Sequence, residues 1–121
     1  MAMRGIRGAV TADSNTKEEI WRVAQLLLTK VMSLNQLNFD QVGAVIFSST
    51  PDLTAAFPST GARQLPSFSQ LPLFDTMEPA IDNSLPMCIR VLLLVETDIK
   101  PRDICHVYLG KAKALRPDLV K

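Results

Sequence analysis

The sequence is short of the residues that most enzyme chemistry needs. It has one histidine, His106, and two cysteines, Cys88 and Cys105, well separated in the chain. Two cysteines so spaced make neither a disulfide framework nor a zinc site, and no cluster of metal ligands occurs elsewhere. They read as reduced, partly buried thiols. Ser48, Ser49 and Cys88 have no base beside them in the sequence, so nucleophilic catalysis is not signalled, and His106 reads as structural. A glycine-rich phosphate loop is missing. Charge of one sign is missing too: 13 Lys and Arg face 12 Asp and Glu, for a net +1. That balance leaves no basic excess for nucleic acid. Aromatic residues make up 6% of the chain, too few to interleave with arginines on an RNA-binding sheet. The most apolar run, residues 91–95, is far too short to span a bilayer. Arg4 and Arg7 interrupt any apolar segment at the start, so no secretory signal is expected. These absences point to a cytoplasmic protein with no membrane or nucleic-acid partner and no metal.

What is present is a chain of 121 residues, 47% hydrophobic, which suits one domain over residues 1–121 with a core that needs no disulfide. Residues 3–11 are rich in small and branched side chains and read as a strand. Arg7 then points away from Ile6 and shares a face with Gly5 and Ala9, and the glycines allow a close approach by backbone or ligand. Thr16 and Glu19 fit a reciprocal capping box. Ile20, Val23, Ala24, Leu27, Val31 and Leu34 follow at helical spacing, with Asn35 and Asn38 as stop signals. Residues 42–49 are apolar on both faces, as in a covered central strand. Thr50-Pro51-Asp52 is a turn. A short helix is expected over 58–65, with Pro58 in its first turn and Pro66 and Ser67 ending it. Residues 71–74 make a short strand that Pro72 confines to an edge.

A loop over 78–86 precedes the strongest strand, 89–97. A turn over 98–102 leads to a last strand over 104–109, and a helical turn over 111–115 stops at Pro117. This order implies an α+β domain with a mixed sheet and helices on one face. The strands are apolar on both sides, so the other sheet face needs cover, which in so short a chain comes from other subunits.

Arg90 is the most informative residue, because it interrupts an apolar strand. Taking a guanidinium out of water costs several kcal/mol unless it is paired. It shares a strand face with Leu92, Leu94 and Glu96. Its partner is a carboxylate such as Glu96 or Glu78, unless it is a solvated strand end or part of an anion site. Arg7 is a second strand arginine, and Tyr108 has a hydroxyl that can bind a carboxylate or sit in a core. His106 would share a strand face with Tyr108. Arg63 and Arg116 lie on the short helix and in the tail. The residues alone describe an anion-binding α+β domain.

Several stretches go further. Residues 4–9 (RGIRGA), Thr50-Pro51-Asp52-Leu53 with Ala56-Phe57-Pro58 and Ala62-Arg63, Cys88-Ile89-Arg90-Val91, and His106-Val107-Tyr108-Leu109 with residues 115–119 (LRPDL) follow one another in order. Over residues 3–119 the chain resembles the monofunctional chorismate mutases of the Bacillus type. The resemblance implies a homotrimer whose sheets form a pseudo α/β-barrel, with active sites at the subunit interfaces. It implies a cofactor-free Claisen rearrangement of chorismate to prephenate in aromatic amino-acid biosynthesis. That reaction needs no proton transfer or covalent intermediate, which fits the absence of an obvious base or nucleophile.

The resemblance also assigns roles. Arg90 would donate to the ether oxygen and a substrate carboxylate, and Arg7 and Tyr108 would hold a carboxylate. Glu78 would lie near the substrate ring as acceptor for its hydroxyl. Phe57 would pack on the ring from a neighbouring subunit, and Leu73 and Phe74 would form wall and backbone contacts. Arg63 and Arg116 would draw in the dianion at the mouth, with Leu115 on the closing tail. Two positions depart from the family. Thr60 replaces a frequent lysine, so weaker steering and a higher Michaelis constant are expected. Asp75 replaces a frequent cysteine and is expected to accept from the substrate hydroxyl while adding a second negative charge near Glu78, which would raise one carboxyl's pKa. The tail beyond Leu119 is short, so lid closure is expected to be less complete. The alternatives are a non-catalytic trimeric module that binds a small carboxylate and regulates a partner, and a small trimeric hydrolytic deaminase whose motifs are not apparent.

Overall fold

The computed structural model of the protein describes residues 1–119. Its elements run in the order β1 (Ala2–Thr11), α1 (Lys17–Leu34), β2 (Val42–Ser49), α2 (Pro58–Ala62), β3 (Leu73–Met77), β4 (Cys88–Thr97) and β5 (Val107–Leu109), with short 3-10 turns between and after them. The strands form one sheet in the order β3-β2-β4-β1-β5. The two central pairings, β1 with β4 and β2 with β4, are antiparallel, and the edge strands β3 and β5 lie parallel to their neighbours. It is the mixed-sheet α+β domain that the sequence implies.

Ile6 and Val10 of β1, Val45 and Phe47 of β2, Ile89, Val91, Leu93 and Val95 of β4, and Val107 of β5 share one sheet face. There they meet Ile20, Val23, Ala24, Leu27, Leu28 and Val31 of α1, all fully buried or nearly so. Leu34, expected on that stripe, is instead exposed, because the helix has turned it away by its last residue; Leu28 and Met32 are buried in addition. Gly8 explains how α1 sits so close: a Cβ there would meet Leu27 Cδ1 at 3.0 Å and the Val107 carbonyl oxygen at 3.2 Å. The close approach it permits is by helix and backbone. Gly61 does the same for α2, where a Cβ would lie 2.7 Å from Trp21 Cα.

Several boundaries differ from the sequence reading, each for a local reason. Thr16 caps α1 by accepting from the Glu19 amide at 3.2 Å. The reciprocal half of the box is absent: the Glu19 carboxylate accepts from the Asp13 amide at 2.7 Å and pairs with Arg22 at 2.8 Å. The second helix stops at Ala62, and the chain continues to Leu65 in tighter turns. The edge strand β3 begins after Pro72, whose carbonyl accepts from the Val45 amide at 2.9 Å, and extends to Met77. The last strand is only Val107–Leu109. Residues expected to begin it are taken by Asn35, whose side chain accepts from the Cys105 amide and donates to the Cys105 carbonyl, both at 2.8 Å. His106 therefore precedes the strand. The helical turn near the end is a 3-10 turn over Gly110–Ala114.

Among the described residues, the sheet face away from the helices is covered at one end only. Ala9, Cys88, Tyr108 and Ala112 form a small buried cluster there, with Leu85, Leu115 and Leu119 against it. Elsewhere Ile46, Leu92 and Leu94 are half-buried, and Met3 and Phe74 are exposed. Among the described residues no helix is long and apolar enough to cross a membrane.

Candidate active site

Strand alternation builds the site on the uncovered face. The register sets Ala9 opposite Arg90 and Ser48 opposite Arg90, so these side chains share a face. Parallel pairing of β1 with β5 sets Ala9 beside Tyr108. Arg7, Gly8, Ala9, Ile46, Ser48, Arg90, Leu92 and Tyr108 thereby line one cavity of about 290 Å³. Two guanidinium groups and a phenol converge on a mostly apolar wall, which is the composition of a site for a small anion.

Of the surroundings open to Arg90, full burial in the apolar strand is not the one found. Its side chain is 46% exposed, because it projects from the bare face of β4. Of its two candidate partners the structure selects Glu78, whose Oε1 lies 2.7 Å from Arg90 Nε as a charge contact without the alignment of a hydrogen bond. Glu78 is the more enclosed of the two, at 19%. It stands just beyond β3, where its amide donates to the Ser49 carbonyl at 2.9 Å.

Arg7 is exposed, and its backbone amide donates to His106 Nδ1 at 3.0 Å. The imidazole thus extends the β1–β5 ladder by one side-chain rung, which agrees with a structural histidine. Tyr108 is buried in the small cluster while lining the cavity. Arg116 at the tail is tied to Asp118, with contacts of 3.1 and 2.9 Å. The Arg116 hydrogen bond holds the Asp118 carboxyl below its ordinary range, and Arg7 lies near enough to add to that effect. Leu115 of the tail packs against the Tyr108 cluster.

The remaining expected residues gather elsewhere. Phe57, Ser59, Thr60, Arg63, Leu71, Leu73 and Asp75 line a second cavity of about 410 Å³ along the β3 edge. By register Leu73 and Asp75 point to the helix side of the sheet and Phe74 to the bare side. Phe57 and Phe74 are 66% and 65% exposed. Arg63 donates to Thr60 Oγ1 at 3.2 Å. Asp75 is engaged at the start of α2, accepting from the Ser59 amide at 3.1 Å and from the Ser59 hydroxyl. Asp75 is thus turned to Ser59, while Glu78 is turned to Arg90. Within one chain the expected residues therefore fall into two groups, one lining each cavity.

Ser48 and Ser59 were missed as contributors. Ser48 was legible from alternation, since it lies two residues from Ile46 on one strand face. Ser59 was not, because its partner Asp75 is brought to it only by the packing of α2 on the β3 edge.

Residues 3–119 match the sequence profile of the family described as chorismate mutase type I. The chain belongs to that family. It is 40% identical over 119 residues to the chorismate mutase AroH of Bacillus subtilis, covering 98% of this chain and 94% of that protein. It is 43% identical over 118 residues to the chorismate mutase AroH of Thermus thermophilus, covering 97% and 96%. Its fold superposes on the solved chorismate mutase from Clostridium thermocellum with a TM-score of 0.88 at 40% identity, over 92% of this chain and 98% of that one. It is accordingly an enzyme, an isomerase of the chorismate mutase class.

Proposed function

We propose that the protein rearranges chorismate to prephenate without a cofactor, at sites shared between neighbouring subunits of a homotrimer, with Arg90 as the principal catalytic cation. The observation that carries this reading is the convergence of Arg7, Arg90 and Tyr108 on one cavity, with Glu78 paired to Arg90.

The reaction breaks one carbon–oxygen bond while forming one carbon–carbon bond within a single molecule. Catalysis then comes from holding the folded, diaxial conformer and from stabilising charge that grows on the ether oxygen. Arg7 and Tyr108 grip a carboxylate and so fix the conformer. Arg90 donates to the ether oxygen as its bond breaks, where a fixed cation is worth more in the transition state than in the ground state. Glu78 keeps the Arg90 guanidinium oriented and accepts from the ring hydroxyl.

Phe57, Arg63, Leu73, Phe74 and Asp75 act in this account from a second subunit. Their separation from the Arg90 cavity within one chain supports that assignment, as does the uncovered sheet face beside Arg90. Arg63 and Arg116 attract the dianion, and Leu115 closes on it with the tail. The same reading makes the protein a cytoplasmic enzyme of aromatic amino-acid biosynthesis.

The test is to follow chorismate absorbance with purified protein and identify the product. Decay far above the uncatalysed rate, with prephenate accumulating, is the expected result. A folded protein that leaves chorismate at its uncatalysed rate would overturn the reading and favour a binding module.

A further inference from the structure

We propose that Thr50 and Asp52 are positioning residues for Arg90: their side chains clamp the entry of β4 to the end of β2 and so set the Arg90–Glu78 pair. The inference rests on the reading of Arg90 as the catalytic cation.

The paired register of β2 and β4 runs out at Ser49 and Ile89. Past that point a side chain takes over part of the ladder. The Thr50 amide donates to the Cys88 carbonyl at 3.0 Å, and Thr50 Oγ1 accepts from the Cys88 amide at 3.0 Å. The hydroxyl proton goes to Asp52 Oδ1 at 2.5 Å. The other carboxylate oxygen, Asp52 Oδ2, accepts from the Met87 amide at 2.9 Å. Met87 has φ of 56°, a left-handed conformation that a non-glycine residue keeps only when its surroundings hold it. Its carbonyl accepts from the Ala12 amide at 2.8 Å, which ties the end of β1 into the same knot.

The end of β2 thus holds both partners of the catalytic pair. Through Ser49 it accepts the Glu78 amide, and through Thr50 it fixes Cys88, two residues before Arg90. The Cys88 thiol feels the charges of Arg90, Glu78 and Asp52. Thr50 is buried, so loss of its hydroxyl leaves the Cys88 amide unpaired with no water to replace it. Displacing a catalytic group by an ångström can lower the rate about 10²-fold. The clamp touches no substrate; it acts through where it holds Arg90.

The experiment compares kcat and KM for Thr50→Val, Thr50→Ser, Asp52→Asn and Arg90→Ala in the full-length protein, well below each melting temperature. Thr50→Val keeps the shape and loses the hydroxyl, and is expected to lower kcat about tenfold or more with little change in KM. Thr50→Ser keeps the hydroxyl and should restore kcat. Asp52→Asn, at an exposed position, should lower kcat in the same sense and carries the test if Thr50→Val does not fold. A folded Thr50→Val or Asp52→Asn with unchanged kcat, or a loss that Thr50→Ser shares, overturns the positioning role while Arg90→Ala stays inactive. An active Arg90→Ala instead overturns the reading of Arg90 beneath it.

Discussion

Burial pushes the Cys88 thiol up to about 11, with Glu78 and Asp52 adding to the rise and Arg90 opposing it. The neutral thiol is therefore the form that the fold favours. Because the folded pKa is raised, this contribution to stability is complete below the ordinary thiol range and is lost as pH climbs toward 11. Near neutral pH Cys88 is neither a nucleophile nor readily oxidised. Cys105, only half-buried, is the accessible thiol. A disulfide reagent should label the native protein quickly at Cys105 alone, and Cys105→Ser should remove the fast phase. Fast labelling that persists in Cys105→Ser would contradict this account of Cys88. The same residue-scale view separates Arg7 from Arg90. The Arg7 backbone is pinned by His106, whereas Arg90 is held through its head group by Glu78.

At the scale of elements, α1 is anchored at its C-terminal end more firmly than its sequence suggests. Asn35 is buried, and its amide group donates to the Val31 carbonyl at 2.9 Å besides its two bonds to Cys105. Asn35→Ala would leave the Cys105 amide and carbonyl without this partner, at a cost on the order of 3 kcal/mol in stability. Urea unfolding measures that directly, and a loss under about 1 kcal/mol would show that water replaces the side chain. Elements that sequence made legible were those set by local rules. The helix stripe from Ile20 to Val31, the Thr16 cap and the alternation of β1 and β4 each depend on neighbours a few residues away. Elements that were misjudged depend on distant partners. The start of β5 is claimed by Asn35, and the Glu19 half of the cap is diverted to Asp13 and Arg22. Neither competition leaves a mark in a window of sequence.

For the molecule as a whole, the proposed shared site offers one explanation for both the bare sheet face and the separation of the expected residues. Leu92, Leu94 and Ile46 are only half-covered, and Phe57 and Phe74 stand exposed. A second subunit laid on the bare face would cover both. Sedimentation equilibrium should give three times the chain mass at micromolar concentration, and a stable monomer that turns over chorismate would contradict the shared site. The arginines and tyrosine of the first cavity were legible because they lie on neighbouring strands of one chain. The pairing of Asp75 with Ser59 was not, since it comes from α2 packing, and the contributions expected of Asp75, Phe57 and Arg63 were legible only through resemblance.

On the proposed reading, Arg90 supplies the charge that the transition state requires. The most direct test is the steady-state rate of chorismate loss for Arg90→Ala beside the unaltered protein, with sedimentation confirming that both assemble alike. Removing one such donor is expected to lower kcat about 10²- to 10³-fold or more. A variant that assembles normally and keeps kcat within a few-fold would show that the catalytic charge lies elsewhere.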